Sequence, residues 1–392
     1  MIFDELTYFL IFLLPSVVAF HWVARAWKPW VLALSGTLFF VYYGYLHFGG
    51  ALGSACVAIF LWELAVSRFY RKGSWMCVLG IVQAVLILVA FKYLPFFERV
   101  WSDLLAPQGG PRTTALILPL GISFFTFEFI HFAADSRAGR IQNARLGEYS
   151  AFIFFFPSMV AGPIKRFQHF QRELRVAAFS PAMASQGITR ILAGLAKKHV
   201  LADTFALWAA HLQTADLPST GRGVLVWWIL AYGMRIYFDF SGYSDIAIGS
   251  GMLFGIALPE NFRWPYSSAG IMEFWRRWHI SLSSWIRDYV YIPLGGSRGS
   301  RFRTTANLLV AFGLSGLWHG AAYNFVAWGL WHGVMTAIER AWRGWAGPRG
   351  ISLPRLAAQG LTFSGVMLGW VLFCVDFPRA VLIFQQLLRG SA

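Results

Sequence analysis

The stretch FGLSGLWHGAAYNFVAWGLWHG, residues 312–333, decides how this chain is read. It spells GLWHG twice, at 316–320 and 329–333, inside a segment otherwise dominated by apolar residues. Each copy sets a histidine between a tryptophan and a glycine. What those histidines do depends first on the medium around them.

Composition answers for the medium. The chain has 392 residues, of which 57% are hydrophobic, 18% aromatic and only 13% charged. A soluble domain carries about 25% charged residues, so this chain lacks nearly half the usual solvating groups. Long apolar windows account for the deficit, at 6–24, 29–47, 50–67, 75–91 and 115–133. Further windows lie at 224–240, 246–258, 305–323, 325–338 and 356–375. A bilayer core takes about 20 residues of helix to cross. The expected class is therefore all-α, a polytopic helical membrane protein with about ten or eleven membrane segments. The shorter windows are expected to be re-entrant or tilted, and residues 1–392 are read as a single membrane-embedded domain.

The net charge of +15 is expected to lie in loops: Arg25 with Lys28, Arg68 with Arg71 and Lys72, Arg137 with Arg140 and Arg145, Lys165 with Arg166, Arg172 and Arg175, and Arg298 with Arg301 and Arg303. Loops rich in Lys and Arg stay cytoplasmic. An N-terminus outside satisfies the first three clusters in alternation and leaves 94–112 as an external loop. A nucleic-acid binder needs its basic residues on one soluble face, which this pattern excludes. Asp4 and Glu5 stand where a signal peptide carries basic residues, so the first apolar window is expected to be a retained helix. Cys56, Cys77 and Cys374 are scattered through apolar windows and suit packing rather than disulfides.

Ionisable residues at bilayer depth are functional candidates, and three regions hold them. In MRIYFDFSGYSDIAIG, residues 234–249, Arg235 and Asp239 stand four apart and suit an ion pair. Asp239, Ser241, Tyr243, Ser244 and Asp245 then read as a polar break between apolar runs, with a mainly structural role. In EFWRRWHISLSSWIRDYVYIPLGG, residues 273–296, Phe274, Trp275, Trp278, Leu282, Trp285, Ile286 and Tyr289 fall on one helical sector. Arg276, Arg277, Arg287 and Asp288 fall on the opposite one. That pattern predicts an amphipathic helix over 273–289 lying in the membrane interface, with His279 at the edge of its apolar sector. The third region is the doubled GLWHG, where both G-x-x-x-G spacings let helices approach closely. Glycine packing leaves the histidines unexplained. A buried imidazole stays neutral and can take and return one proton. His319 and His332 stand thirteen residues apart, a rotation of about 220° on one continuous helix. Different roles are expected for the two. Zinc, nucleophile-elbow and phosphate-loop motifs are absent from the sequence, and no metal site is expected.

Together these residues resemble the membrane-bound O-acyltransferase family, in the bacterial branch typified by alginate O-acetyltransferase. The resemblance rests on LPLGISFFTFEFIHF from Leu118, FFFPSMVAGPIKRF from Phe154, GLAKKHVLAD from Gly194, YFDFSGYSDIAIG from Tyr237 and LPENFRWPYSS from Leu258. It continues through the 273–296 stretch to the doubled GLWHG, in family order over about 118–333. The resemblance implies an inner-membrane enzyme that passes an acyl group, most simply acetyl, from a cytoplasmic thioester to an extracytoplasmic polysaccharide. His319 is implied as the catalytic histidine and His279 as the second signature residue. Arg276, Arg277, Trp278, Asp239 and Asn324 are expected to bind substrate. No tightly bound cofactor is implied; the donor would be acetyl-CoA or an acyl carrier protein. A periplasmic SGNH-type acyltransferase is the implied partner. A D-alanyl transferase using a carrier-protein donor, or a transporter or flippase, would share much of this polar interior.

Overall fold

The computed structural model describes residues 4–105 and 120–389, with the side chains of 47–56 left aside. The described residues form helices and connecting loops without a strand. Helices close all their backbone hydrogen bonds internally, which is what a bilayer without water demands. They divide into two compact units, Met1–Ala193 with Tyr243–Pro259, and Gly194–Gly242 with Glu260–Ala392.

In the first unit, α1 (Tyr8–Trp22), α2 (Lys28–Ser67) and α3 (Trp75–Leu105) are followed by α4 (Ile122–Arg137), α5 (Leu146–Ile153), α6 (Phe167–Val176) and α7 (Pro181–Ala196). The windows 29–47 and 50–67 are one helix of 40 residues, not two spans joined by a loop. The 94–112 segment is helical up to Leu105, and 106–119 lies outside the described residues, as do the start of the 115–133 window and the side chain of Cys56. Leu34 on α2 and Leu86 on α3 are exposed, as a surface turned toward acyl chains requires. Polar groups turn inward instead: Lys165, expected in a loop, pairs with Glu128 in the core, Arg172 and Arg175 lie on α6 rather than in a loop, and Tyr8 donates to Ser250 at 2.9 Å.

The second unit holds α8 (Asp203–Ala209), most of α9 (Arg222–Leu253), α10 (Ile271–Arg277), α11 (Ile280–Ile286), α12 (Arg301–His319), α13 (Tyr323–Ala346), α14 (Arg355–Cys374) and α15 (Phe377–Arg389). α9 runs unbroken for 32 residues through Asp239–Asp245, so the expected polar break is absent. Its charges are satisfied by neighbours rather than by a turn. Asp239 pairs with Lys198 at 3.2 Å and Asp245 with Arg190 at 2.9 Å. Arg235, expected to pair with Asp239, lies over the Tyr232 ring at 5.9 Å. Lys28–Leu46, Trp75–Leu105 and Arg355–Cys374 are long and apolar enough to cross a membrane.

The two GLWHG copies belong to different helices. α12 and α13 cross antiparallel with almost no side chain between them. A Cβ on Gly316 would stand 2.1 Å from the Phe325 carbonyl oxygen, and one on Gly329 would stand 2.2 Å from that of Phe312. Gly316 and Gly329 are thus each required by the backbone of the other helix, the close approach that small residues permit, while a Cβ on Gly320 or Gly333 would meet side chains of the other helix. The crossing ends α12 at His319, with Gly320 extended beyond it, and leaves His332 in the middle of α13.

Candidate functional site

The stretch expected to form one interfacial helix over 273–289 is instead two short helices joined by a tight turn. α10 ends at Arg277, Trp278 is extended, and His279 adopts φ 44° and ψ 53° before α11 begins. A non-glycine residue in the left-handed region costs on the order of 1–3 kcal/mol and persists where its surroundings fix it. Here Ile280 N–H donates to the Asn261 carbonyl at 3.0 Å, Ser283 N–H to the His279 carbonyl at 2.9 Å, and Ser283 Oγ to the Trp278 carbonyl at 3.2 Å. A continuous helix cannot form through that geometry. The sector assignment nevertheless stands: Phe274, Trp275, Trp278, Leu282, Trp285 and Ile286 are buried, while Arg276 and Arg287 are exposed.

The contacts of these two helices trace their path. Met272 N–H donates to Glu339 in the distal half of α13 at 2.8 Å, and the Trp275 ring lies 5.1 Å from that of His332. At the turn, His279 meets Trp318 and His319 with centroids 6.1 and 6.3 Å apart. α11 then returns along α12, where Ser283, Ile286 and Tyr291 share a cleft with Ser315, Ala311 and Leu308. α10 therefore carries His279 toward the far end of α12, and α11 leads the chain back.

Asn261 sets the state of that histidine. Its Oδ1 accepts from Ser281 N–H at 3.2 Å and from Ser281 Oγ at 2.9 Å, and lies 3.2 Å from His279 Nδ1. A backbone N–H can only donate, so this atom of Asn261 is the oxygen. His279 Nδ1 must then carry the proton, and a neutral ring has its lone pair on Nε2. Nε2 is buried and has no hydrogen-bond partner among the described residues. The ring thus has a fixed tautomer and sits in a turn between two helices.

His319 is the last residue of α12 and is ringed by Trp318 at 4.8 Å, Trp328 at 5.1 Å and Phe373 at 5.2 Å. The structure thus brings together the two histidines expected to act.

The other expected site residues stand apart from the pair. Trp278 is a core residue, 5.6 Å from Phe274 and 4.9 Å from Trp370 between centroids. Arg277 is committed to Glu273 at 2.6 Å and to Ser267 at 3.1 Å, while Arg276 is exposed. Asp239 is held by Lys198, although the next residue, Phe240, packs edge-on against His279 at 4.6 Å. Asn324 donates to the Leu372 carbonyl at 3.1 Å and ties the start of α13 to α14. Asn261 was not among the expected residues. It stands inside LPENFRWPYSS, and nothing in its neighbours marks an amide that folds back 18 residues later.

The family model for membrane-bound O-acyltransferases matches residues 62–352. The chain belongs to that family. As a family member it is 38% identical to a probable alginate O-acetylase of Pseudomonas aeruginosa, over 93% of this chain and 66% of the relative. It is 32% identical to a peptidoglycan O-acetyltransferase of Helicobacter pylori, over 88% of this chain and 70% of that protein. It is 31% identical to a teichoic acid D-alanyltransferase of Streptococcus thermophilus, over 72% of this chain and 68% of that protein. The chain spans about two thirds of the length of these relatives.

Proposed function

We propose that this membrane protein is an O-acyltransferase that moves an acetyl group from a cytoplasmic thioester to a hydroxyl of an extracytoplasmic polysaccharide. The observation that carries the reading is the His279–His319 pair, with one tautomer fixed by Asn261. His319 takes the proton of the acceptor hydroxyl as its oxygen forms a bond to the thioester carbonyl carbon. The C–S bond breaks, and the proton passes from the imidazolium to the leaving thiolate. His279, with a lone pair and no proton on Nε2, steadies the charge on the neighbouring ring. A thioester is already activated, so a base, alignment and exclusion of water supply the remaining catalysis. Acetyl is favoured over D-alanyl by the higher identity to the acetylases, over more of the chain. Family membership favours transfer chemistry over a transporter or flippase.

The direction of transfer follows from charge. Because α12 and α13 are antiparallel, Arg301 and Arg303 share one end of the crossing with Arg340 and Arg343, all exposed. The positive-inside rule assigns that end to the cytoplasm. His319 lies 18 residues beyond Arg301, roughly 27 Å along the helix, most of a hydrocarbon core of about 30 Å. The donor arm would enter from the arginine side and the acceptor from the other, acetyl alone crossing. We assign the chain to the bacterial cytoplasmic membrane and its implied partner to the periplasmic SGNH-type acyltransferases. Reconstituted protein supplied with labelled acetyl-CoA, or with an acetylated carrier protein, inside vesicles should acetylate an oligosaccharide outside. Export of an unmodified donor, without ester formation, would instead establish a transporter.

A further inference from the structure

Four tryptophans and one histidine cluster where α10, α13 and α14 meet. The His332 ring lies 5.1 Å from Trp275, 5.0 Å from Trp328 and 6.3 Å from Trp370. Trp331 stands beside it in sequence, and all but Trp331 are buried. Two of these indoles are satisfied by the protein. Trp331 Nε1 donates to the Gly365 carbonyl at 2.9 Å, and Trp370 Nε1 to Tyr266 Oη at 3.1 Å. The other two are not. Trp275 Nε1, Trp328 Nε1 and both ring nitrogens of His332 are buried without a hydrogen-bond partner among the described residues.

Buried polar atoms are almost always paired, because leaving one unmet forfeits its solvation. Four orphans on three mutually touching rings form a niche with a defined chemistry. Indole N–H groups only donate, and a neutral imidazole adds one more donor. Three buried, unpartnered donors on neighbouring rings suit an oxygen that gains negative charge. The niche adjoins the reacting histidine: the Trp328 ring is 5.1 Å from that of His319 and 5.8 Å from that of Trp275. Trp275 also forms part of the wall of an apolar cleft of about 210 Å³ between α11 and α12.

We propose that Trp275, Trp328 and His332 bind the carbonyl oxygen of the acyl thioester and stabilise the oxyanion formed when the acceptor attacks. The inference rests on the acyltransferase reading above. It gives the second GLWHG histidine a task separate from that of the first, donating to the carbonyl rather than taking the hydroxyl proton. Donors fixed in advance and aimed at a developing oxyanion are a large source of rate enhancement in acyl transfer.

Two measurements test it. In the transfer assay, Trp275→Phe and Trp328→Phe, which keep the ring and remove the N–H, should each lower kcat by about 10²–10³-fold, with donor KM nearly unchanged. Trp331→Phe and Trp370→Phe, whose N–H groups the protein already uses, should fall far less. Equal losses in all four variants would make the cluster mere packing and overturn the proposal. The second measurement needs no turnover. In a His319→Ala background, S-acetyl-N-acetylcysteamine labelled at its carbonyl carbon should show a carbonyl stretch lowered on binding. The shift should disappear in the Trp275→Phe/Trp328→Phe double variant. A stretch unaffected by the double variant would mean that the niche holds only water, and would overturn the proposal while leaving the proposed function intact. Loss of transfer activity in the unmodified chain would defeat the function itself.

Discussion

His279 and His319 face one another with ring centroids 6.3 Å apart, one in the turn between α10 and α11 and the other on the last residue of α12. Neither reaches that position through ordinary mid-helix geometry. Each sits where a helix stops, and the two stops are brought together by the crossing of α12 with α13 and the return of α11 along α12.

Replacing His319 with Ala should remove acetyl transfer to below about 1% of the parent, the scale of a lost general base. Insertion in the membrane and the unfolding temperature in detergent should change little. Parent-level polysaccharide acetylation in cells carrying the variant would take His319 out of the reaction.

Asn261→Ala should lower kcat by about tenfold to a hundredfold, because His279 loses the acceptor that keeps its proton on Nδ1. Asn261→Asp retains an acceptor oxygen at that place and should recover much of the rate. If the aspartate variant is as impaired as the alanine variant, the amide serves only to hold the loop.

At position 279 the backbone and the ring can be separated. Asparagine tolerates the left-handed region better than alanine, and glycine adopts it freely. His279→Asn and His279→Gly should fold as the parent does yet be catalytically impaired, whereas His279→Ala should also lose stability. Measuring unfolding temperature beside rate in the three variants distinguishes the two contributions.

Gly316→Ala and Gly329→Ala should each destabilise the protein by about 1–3 kcal/mol, as overpacking does. The added Cβ would meet a backbone oxygen, which cannot swing aside. Both changes force the same separation of α12 from α13, so the double variant should cost less than the sum of the two. Additive losses would indicate that the helices yield independently.

Charge reversal at Arg301 and Arg303, both exposed at the end of α12 assigned to the donor side, should raise the donor KM and leave the acceptor KM unchanged. Arg277→Glu should weaken folding, since it would set a second carboxylate against Glu273. A rise in acceptor KM alone would reverse the assignment of sides.

Much of this was legible in the sequence because membranes impose a severe code. The helical class, the buried sector of 273–289, the glycine contacts and the candidacy of His279 and His319 follow from composition, periodicity and motif. What escaped notice depended on partners far along the chain. Nothing local reveals that Lys198, rather than Arg235, neutralises Asp239. The turn at His279 escaped for a related reason. Its residues have reasonable helical propensity, and the Asn261 contacts that force the break come from another segment. The GLWHG copies, about 220° apart on one continuous helix, lie instead on two helices separated at Gly320.

The aromatic collar of Trp318, Trp328 and Phe373 around His319 also bears on fidelity. A thioester held beside a base has two fates, capture by a sugar hydroxyl or wasteful hydrolysis, and the collar leaves little room for the second. The ratio of ester formed to free acid released is therefore a gauge of how well these rings seal the chamber. Trimming Phe373 to Ala should open a leak: donor consumption would continue while product yield falls, uncoupling the two without touching either histidine.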